Sequence, residues 1–397
     1  MKSNVYKSLM LAGLLAPVAG AFSLYDAAPP IGVPESHAVR YNAYLNAGYD
    51  DNLDCSDENR EGGGFVRFGV GASYADYESV TKLSYNANLG GQLYDKNANG
   101  TDERLFSDIS LSASMTHMMG AAGTVNTSFS LSYSPEPDYA NGISAARTQG
   151  DCLNWSLSNS FSQGISERWS WNANVGFSGN IYTDSYYSHD NRMYLSAGLG
   201  LSYKATERTS YGLNASYTYD FREKGYDSEN INVNASVNHA LSPISSCSLS
   251  LGTQVKFVHG TVEVYPTLTG TYRRELAEGL SASVYVSLDN ENVNTYRPFY
   301  GGNYLSDVTW RLGANCTYAY THRVSFNFGA TLMDSSYSDG TNGMADTSRT
   351  TTTFNVGMSY VFTETLTGNV NYQYTISNGF GYDYYRNVVS AGVSYSF

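Results

Sequence analysis

Apolar side chains return at every second residue, stretch after stretch, and this periodicity constrains the fold more than anything else in the chain. In the run Val80 to Leu89, Thr81, Leu83, Tyr85, Ala87 and Leu89 share one parity, while Lys82, Ser84, Asn86 and Asn88 share the other. Trp169, Trp171, Ala173, Val175 and Phe177 alternate in the same way with Ser170, Asn172, Asn174, Gly176 and Ser178. The pattern recurs at Ile231 to Asn238 and at Leu366 to Ile376. A period of two belongs to a strand with one apolar and one polar face. No stretch sustains the 3.6-residue period of a helix, so an all-β chain is expected.

The chemistry of the polar face narrows the class. A soluble sandwich turns that face to water and dresses it with charges, yet only 15% of residues here are charged. Ser, Asn, Thr and Gly dominate instead. Small uncharged residues suit the crowded, wet interior of a transmembrane barrel, whose apolar face looks outward to lipid. Disorder is excluded by the 14% aromatic content, which a disordered segment would lack.

Link lengths alternate as well. Short turns are expected near Ala75–Glu78, Met119–Gly123, Gly164–Arg168, Ala205–Arg208, Ser242–Ser246, Leu276–Gly279, Thr321–Arg323 and Thr363–Thr365. Between them come longer links at Asp51–Gly62, Lys96–Glu103, Pro135–Gly150, Asp184–Asn191, Arg222–Glu229, Asp289–Asn303, Ser335–Arg349 and Ser377–Tyr384, with His259-Gly260 as an abbreviated one. Short periplasmic turns and longer outer loops are the habit of outer-membrane barrels. The runs between links predict a single transmembrane antiparallel up-and-down barrel over 39–397, of about 18 strands, with 16 as the alternative.

Both ends of the chain fit that architecture. Residues 1–21 carry Lys2 and Lys7, an apolar run from Leu9 to Ala16 and small residues to Ala21, the order of a cleaved secretory signal. Phe22 to Ala38, with Pro29, Pro30 and Pro34, is expected to be a periplasmic lead-in. At the other end, Val389, Ala391, Val393, Tyr395 and Phe397 form one face of a closing strand expected to pair with Val39 to Tyr49, leaving no strand edge in lipid. Val393, Tyr395 and Phe397 have the spacing of an assembly signal read by the barrel assembly machinery.

The first strand ends in Gly48-Tyr49-Asp50-Asp51-Asn52. With the leader, the repeated hairpins and the aromatic terminus, this resembles the beta-barrel porin families of Gram-negative outer membranes, most nearly the beta-barrel porin 2 family. The resemblance covers nearly the whole of 39–397 as architecture. It implies fold and location, and it carries no catalytic residues.

Parity places Arg40, Arg67, Lys82, Arg192, Lys204, Lys256, Arg273, Arg311 and Arg386 on the polar face, against Asp50, Asp108, Asp220, Glu263, Asp289 and Asp307. An excess of lumen cations would favour anions, whereas wall-to-wall ion pairs would leave no preference. The net charge of -13 then falls mainly on the outer links, above all Asp50 to Glu61, read as an acidic solvated rim. One link, Asp95 to Glu103, begins like a calcium loop, with Asp95, Asn97, Asn99 and Glu103 as candidate ligands, although Phe106 stands where such a loop has Glu. Apart from that calcium no cofactor is expected. Cys55 and Cys152 both fall on outer links, where an oxidising compartment allows a disulfide between them. The six histidines match no hydrolase motif, so no enzyme is expected, and an acidic chain lacks the basic footprint for nucleic acid. The expected role is passive diffusion of small hydrophilic solutes through the outer membrane, amid lipid and lipopolysaccharide, with a homotrimer as a plausible assembly. A non-conducting surface or envelope barrel, or one assisting surface-polysaccharide export, is the alternative.

Overall fold

A computed structural model of the chain describes residues 39–53, 60–76, 80–96, 104–120, 122–134, 152–183, 191–223, 226–290, 302–340, 345–379 and 383–397, together with Cys55, Asp57, Tyr296 and Arg297. The expected signal peptide and lead-in lie outside the described residues. The first strands are β1 (Val39–Asp50), β2 (Gly63–Asp76), β3 (Thr81–Tyr94), β4 (Leu105–Met119), β5 (Gly123–Ser134) and β6 (Cys152–Gly164). β7 (Trp169–Tyr182), β8 (Arg192–Lys204), β9 (Thr209–Arg222), β10 (Ser228–Ser242), β11 (Ser245–Val258), β12 (Thr261–Ala277) and β13 (Leu280–Asn290) follow. After the two-residue β14 (Tyr296–Arg297) come β15 (Gly302–Ala319), β16 (Val324–Gly340), β17 (Thr347–Val361), β18 (Leu366–Gly379) and β19 (Tyr384–Ser396).

Every strand of the wall pairs antiparallel with its predecessor, and β1 pairs with both β2 and β19, which closes the sheet on itself. Because β14 pairs only with β15 while β13 pairs β15 directly, the wall has 18 strands, as the sequence predicts. No helix occurs among the described residues.

Alternation decides which way each side chain looks. Leu45, Val70, Leu89, Leu199, Leu251 and Val356 are all exposed on the outside of the wall. An aromatic belt rings the short-turn end, with Trp169 against Tyr203, Tyr318 against Phe326 and Tyr41 against Phe397. Some strands run further toward the long-loop end than the alternation shows. β16 continues to Gly340 and β15 starts at Gly302, inside expected links. There Tyr304, Leu305, Ser306 and Asp307 are buried in succession, because strand ends covered by loops need not keep one apolar and one polar face.

The short turns share a local device. Ser166 Oγ accepts the backbone N–H groups of Arg168 and Trp169 at 3.3 and 3.1 Å. Thr206, Thr321 and Thr363 do the same for the residues two and three places on. A short hydroxyl side chain thus caps donors that a tight turn leaves out of the ladder. Thr206→Val should lower stability by about 1 kcal/mol, read as a lower urea midpoint in detergent, with the pore unaltered. At the opposite end His259 and Gly260 both take positive φ, 50° and 78°, as a two-residue hairpin turn requires.

Candidate functional site

The lumen is the one large feature that the fold builds, and its wall is divided into zones along its axis. All of the predicted lumen charges have inward parity. The register sets Lys256 opposite Glu263, Arg192 opposite Asn180, Arg273 opposite Ser283 and Arg311 opposite Ser287. Most of the charge lies toward the two ends, with Arg311 midway along β15 and Asp289 diagonal to it on β13. At the short-turn end Lys82, Lys204 and Arg273 stand exposed, with Arg40 beside them on the same inward side. At the long-loop end the charges are buried and paired.

Three ion pairs organise that end. Arg67 reaches across two strands to Asp108. Asp108 stands level with Gly90 and Gly69, and the Tyr44 ring is laid over both glycines. Arg222 holds Asp220 through Nη2 at 2.7 Å and Nε at 3.1 Å. Arg386 holds Asp50 through Nε at 2.9 Å, with Nη2 on the same oxygen. Lys256, 1% exposed, donates to the Leu305 carbonyl at 2.6 Å and to Asn290 Oδ1 at 3.3 Å. Arg349 bonds Ser377 at 2.8 Å, and Thr309 bridges Asp307 and Ser335 at 2.9 and 2.7 Å. These side chains form a dense polar belt across β9 to β19.

The first long link departs from the sequence reading. Asp50 to Glu61 reads as a solvated acidic rim, yet Asp50, Asn52, Leu53 and Cys55 are all buried. Leu53 packs into an apolar cluster with Phe65, Tyr94, Phe106 and Val388. Phe65, Phe106 and Val388 lie on the inward parity, where they would be anomalous in water. A loop leucine covers them. The acidic residues then serve the seam between the first and last strands. Asp51 Oδ1 accepts the Asn387 backbone N–H at 2.6 Å, and Asn387 Nδ2 donates to Asp51 Oδ2 at 2.7 Å. Asn52 Nδ2 donates to the Tyr385 carbonyl at 2.8 Å. The Asp-Asp-Asn of the first strand is therefore a latch on the last one. At the other end of the same seam, Tyr41 and Phe397 exchange backbone hydrogen bonds of 2.9 Å each. Val393, Tyr395 and Phe397 are exposed on the outer face, as their parity predicts.

Between the charged ends the wall is largely uncharged. Asparagine side chains lie flat across glycines of the neighbouring strand: Asn42 and Asn88 over Gly71, Asn172 and Asn214 over Gly200, Asn234 over Gly252, Asn46 over Gly392. A Cβ at any of these glycines would collide with the amide. Cross-strand rungs tie further polar groups together, including Ser84 to Ser114 at 2.6 Å, Ser130 to Ser156 at 2.7 Å and Thr267 to Asn234 at 2.7 Å. The bore stays wide because its polar groups hug the wall.

Other candidates are placed as follows. Asp95 follows β3 and its carboxylate abuts Gly63 and Gly64, while Asn97, Asn99 and Glu103 lie outside the described residues. Cys55 packs on Tyr384 and Cys152 sits by Asn154. Neither is in a disulfide, and the structure does not bring them together. His117 and His239 bond Thr81 and Thr209 across their ladders, at 2.8 and 2.9 Å.

No protein-family model matches the chain, the beta-barrel porin 2 family included, and no curated protein matches it. Solved structures of similar outline are outer-membrane proteins of Pseudomonas. OpdK of Pseudomonas aeruginosa, solved with vanillate, is 11% identical over 91% of this chain and 100% of its own, with a TM-score of 0.49. OccK2 (OpdF) of the same species, in complex with glucuronate, is 9% identical over 91% of this chain and 99% of its own, at a TM-score of 0.49. A BenF-like porin from Pseudomonas fluorescens Pf-5 is 10% identical over 91% and 100%, again at 0.49. Likeness this distant transfers no ligand and no residue role.

Proposed function

We propose that the chain is a porin-like channel of a Gram-negative outer membrane, through which small hydrophilic solutes diffuse passively. The observation that carries this reading is the closed 18-strand wall with an apolar outside and a polar, largely uncharged inside. A barrel of this size is too wide for its side chains to fill. Its outer face would be an aggregation liability in water and is stable against lipid. The short-turn end, which both termini of the wall share, is then periplasmic, and the long loops face outward. Membership of the beta-barrel porin 2 family, export through a cleaved leader and delivery by the barrel assembly machinery belong to the same proposal.

The charge pattern bears on selectivity. Arg67, Arg222 and Arg386 spend their charge on Asp108, Asp220 and Asp50, so they offer little field to a passing anion. The exposed rim cations at the periplasmic mouth supply whatever anion preference remains. Reconstitution into planar bilayers tests the channel reading. Steady conductance steps are expected. A folded barrel that inserts and passes no current would favour a non-conducting surface protein instead.

A further inference from the structure

We propose that the solutes this channel admits are neutral and polyhydroxylated, saccharides or polyols, rather than ions. This rests on the channel reading above and adds to it the chemistry of the middle of the bore. Along β10 the inward residues are Asn230, Asn232, Asn234, Ser236 and Asn238. Along β18 they are Thr367, Asn369, Asn371, Gln373, Thr375 and Ser377. Among the described residues the inward side chains of the middle zone are mostly Ser, Thr, Asn, Gln, Gly and Tyr; Arg311, midway along β15, and Met333 opposite it are exceptions, and Asp289 of the neighbouring β13 stands diagonally across from Arg311.

A pore selects ions through the field of charges fixed in its wall. Here the zone that a solute must traverse between the end belts holds little of such a field, since its Arg311 stands diagonal to the opposite charge of Asp289. An ion entering it gives up bulk water for a low-dielectric wall and meets little net opposite charge in return. A polyhydroxylated solute faces the opposite balance. Each of its hydroxyls both donates and accepts, and so do the amide and hydroxyl groups of this wall. Bonds to water can therefore be exchanged for bonds to wall groups, direct or through one water, at little cost.

The geometry of the asparagines supports this. Asn172 and Asn214 are laid over Gly200, and Asn327 and Asn371 over Gly357, so each amide presents its edge along the wall without obstructing the bore. Glycine at these positions is what leaves room for the amides. Hydroxyl and amide rungs such as Asn86 to Ser112 at 3.3 Å and Asn88 to Ser110 at 3.2 Å continue the same surface from strand to strand. Were the wall only required to be wet, lysine and glutamate would serve equally. The placement of most charges toward the ends, with Arg311 set diagonal to Asp289, keeps the middle close to neutral.

The test uses the full barrel in liposomes and in planar bilayers. In a swelling assay at matched osmolarity, glucose should enter at least about threefold faster than glucuronate or glucosamine of similar size, because the middle zone offers neither charged sugar a net counter-charge. In a salt gradient the reversal potential should lie close to zero. The isosteric pair Asn234→Asp and Asn355→Asp places charge in that zone and should shift the reversal potential toward cation preference while glucose entry is retained. Equal or faster entry of glucuronate, a strongly ion-selective reversal potential in the native barrel, or no shift in the variant would each overturn the neutral-solute proposal while leaving the channel standing. Absence of both current and swelling with every solute would overturn the channel reading itself, and this proposal with it.

Discussion

Replacing Arg386 by Leu should destabilise the barrel by about 3–5 kcal/mol, because it strands the Asp50 carboxylate in the loop-end belt with its counter-charge removed. Asp50 is 1% exposed and receives the guanidinium on both oxygens, at 3.1 and 2.9 Å from Nε. The Asn52 backbone N–H also donates to it at 3.1 Å, and a neutral donor cannot offset a full charge in a site closed to water. The loss falls on the seam between β1 and β19, the pairing that turns an open sheet into a barrel. The expected readout is a much lower urea midpoint in detergent, with the folded band on unheated gels lost at a lower temperature. The double variant, Asp50→Leu with Arg386→Leu, removes both charges together and should recover most of the stability, since an apolar pair of similar volume often replaces a buried ion pair without penalty. If the single variant proves as stable as the double, the pair does not clasp the seam.

How much of this was legible in the sequence follows from the range of the interactions involved. The strands, the alternation of short and long links and the inward parity of Arg40, Lys82 or Lys256 depend on a period of two along one strand, which the sequence displays directly. The pairing of the last strand with the first follows from closure. The ion pairs depend on register between strands, and sequence alone left open whether the lumen cations were free or paired. Arg67 stands opposite Gln92 and meets Asp108 only across the intervening β3, a juxtaposition that register alone sets. The flat asparagines needed the same information, since Asn42 meets Gly71 and Asn46 meets Gly392 across pairings far apart in sequence. The inward fold of the first link was hidden for another reason. A single leucine in a run of aspartates reads as a solvated link, and Phe65, Phe106 and Val388 read as flaws in a polar face. Each anomaly explains the others only once Leu53 is seen to cover the aromatics.

Deleting Phe397 should reduce the yield of folded barrel more severely than any substitution of its side chain. The residue contributes two separable things. Its backbone N–H and carbonyl close the ladder with Tyr41 at 2.9 Å each, and its ring stacks on Tyr41 and Tyr395 at centroid distances of 5.8 and 5.6 Å. The ring contacts are worth about 0.5–1.5 kcal/mol beyond burial. The ladder contacts weigh more, because a Tyr41 N–H and carbonyl left unpaired at the edge of the lipid lack water to replace them, at several kcal/mol for each group. Phe397→Ser keeps the ladder and loses the rings, so it should assemble at reduced efficiency. Removal of the whole residue loses both and should leave most of the protein unfolded in the periplasm or degraded. Barrels that do assemble should conduct as the native protein does, since Phe397 lies on the outer face and lines no part of the lumen. Quantifying the heat-modifiable folded fraction for the two variants, alongside single-channel conductance, orders these effects. A deletion that folds as well as the native chain would show that the seam is closed in some register other than Tyr41 opposite Phe397.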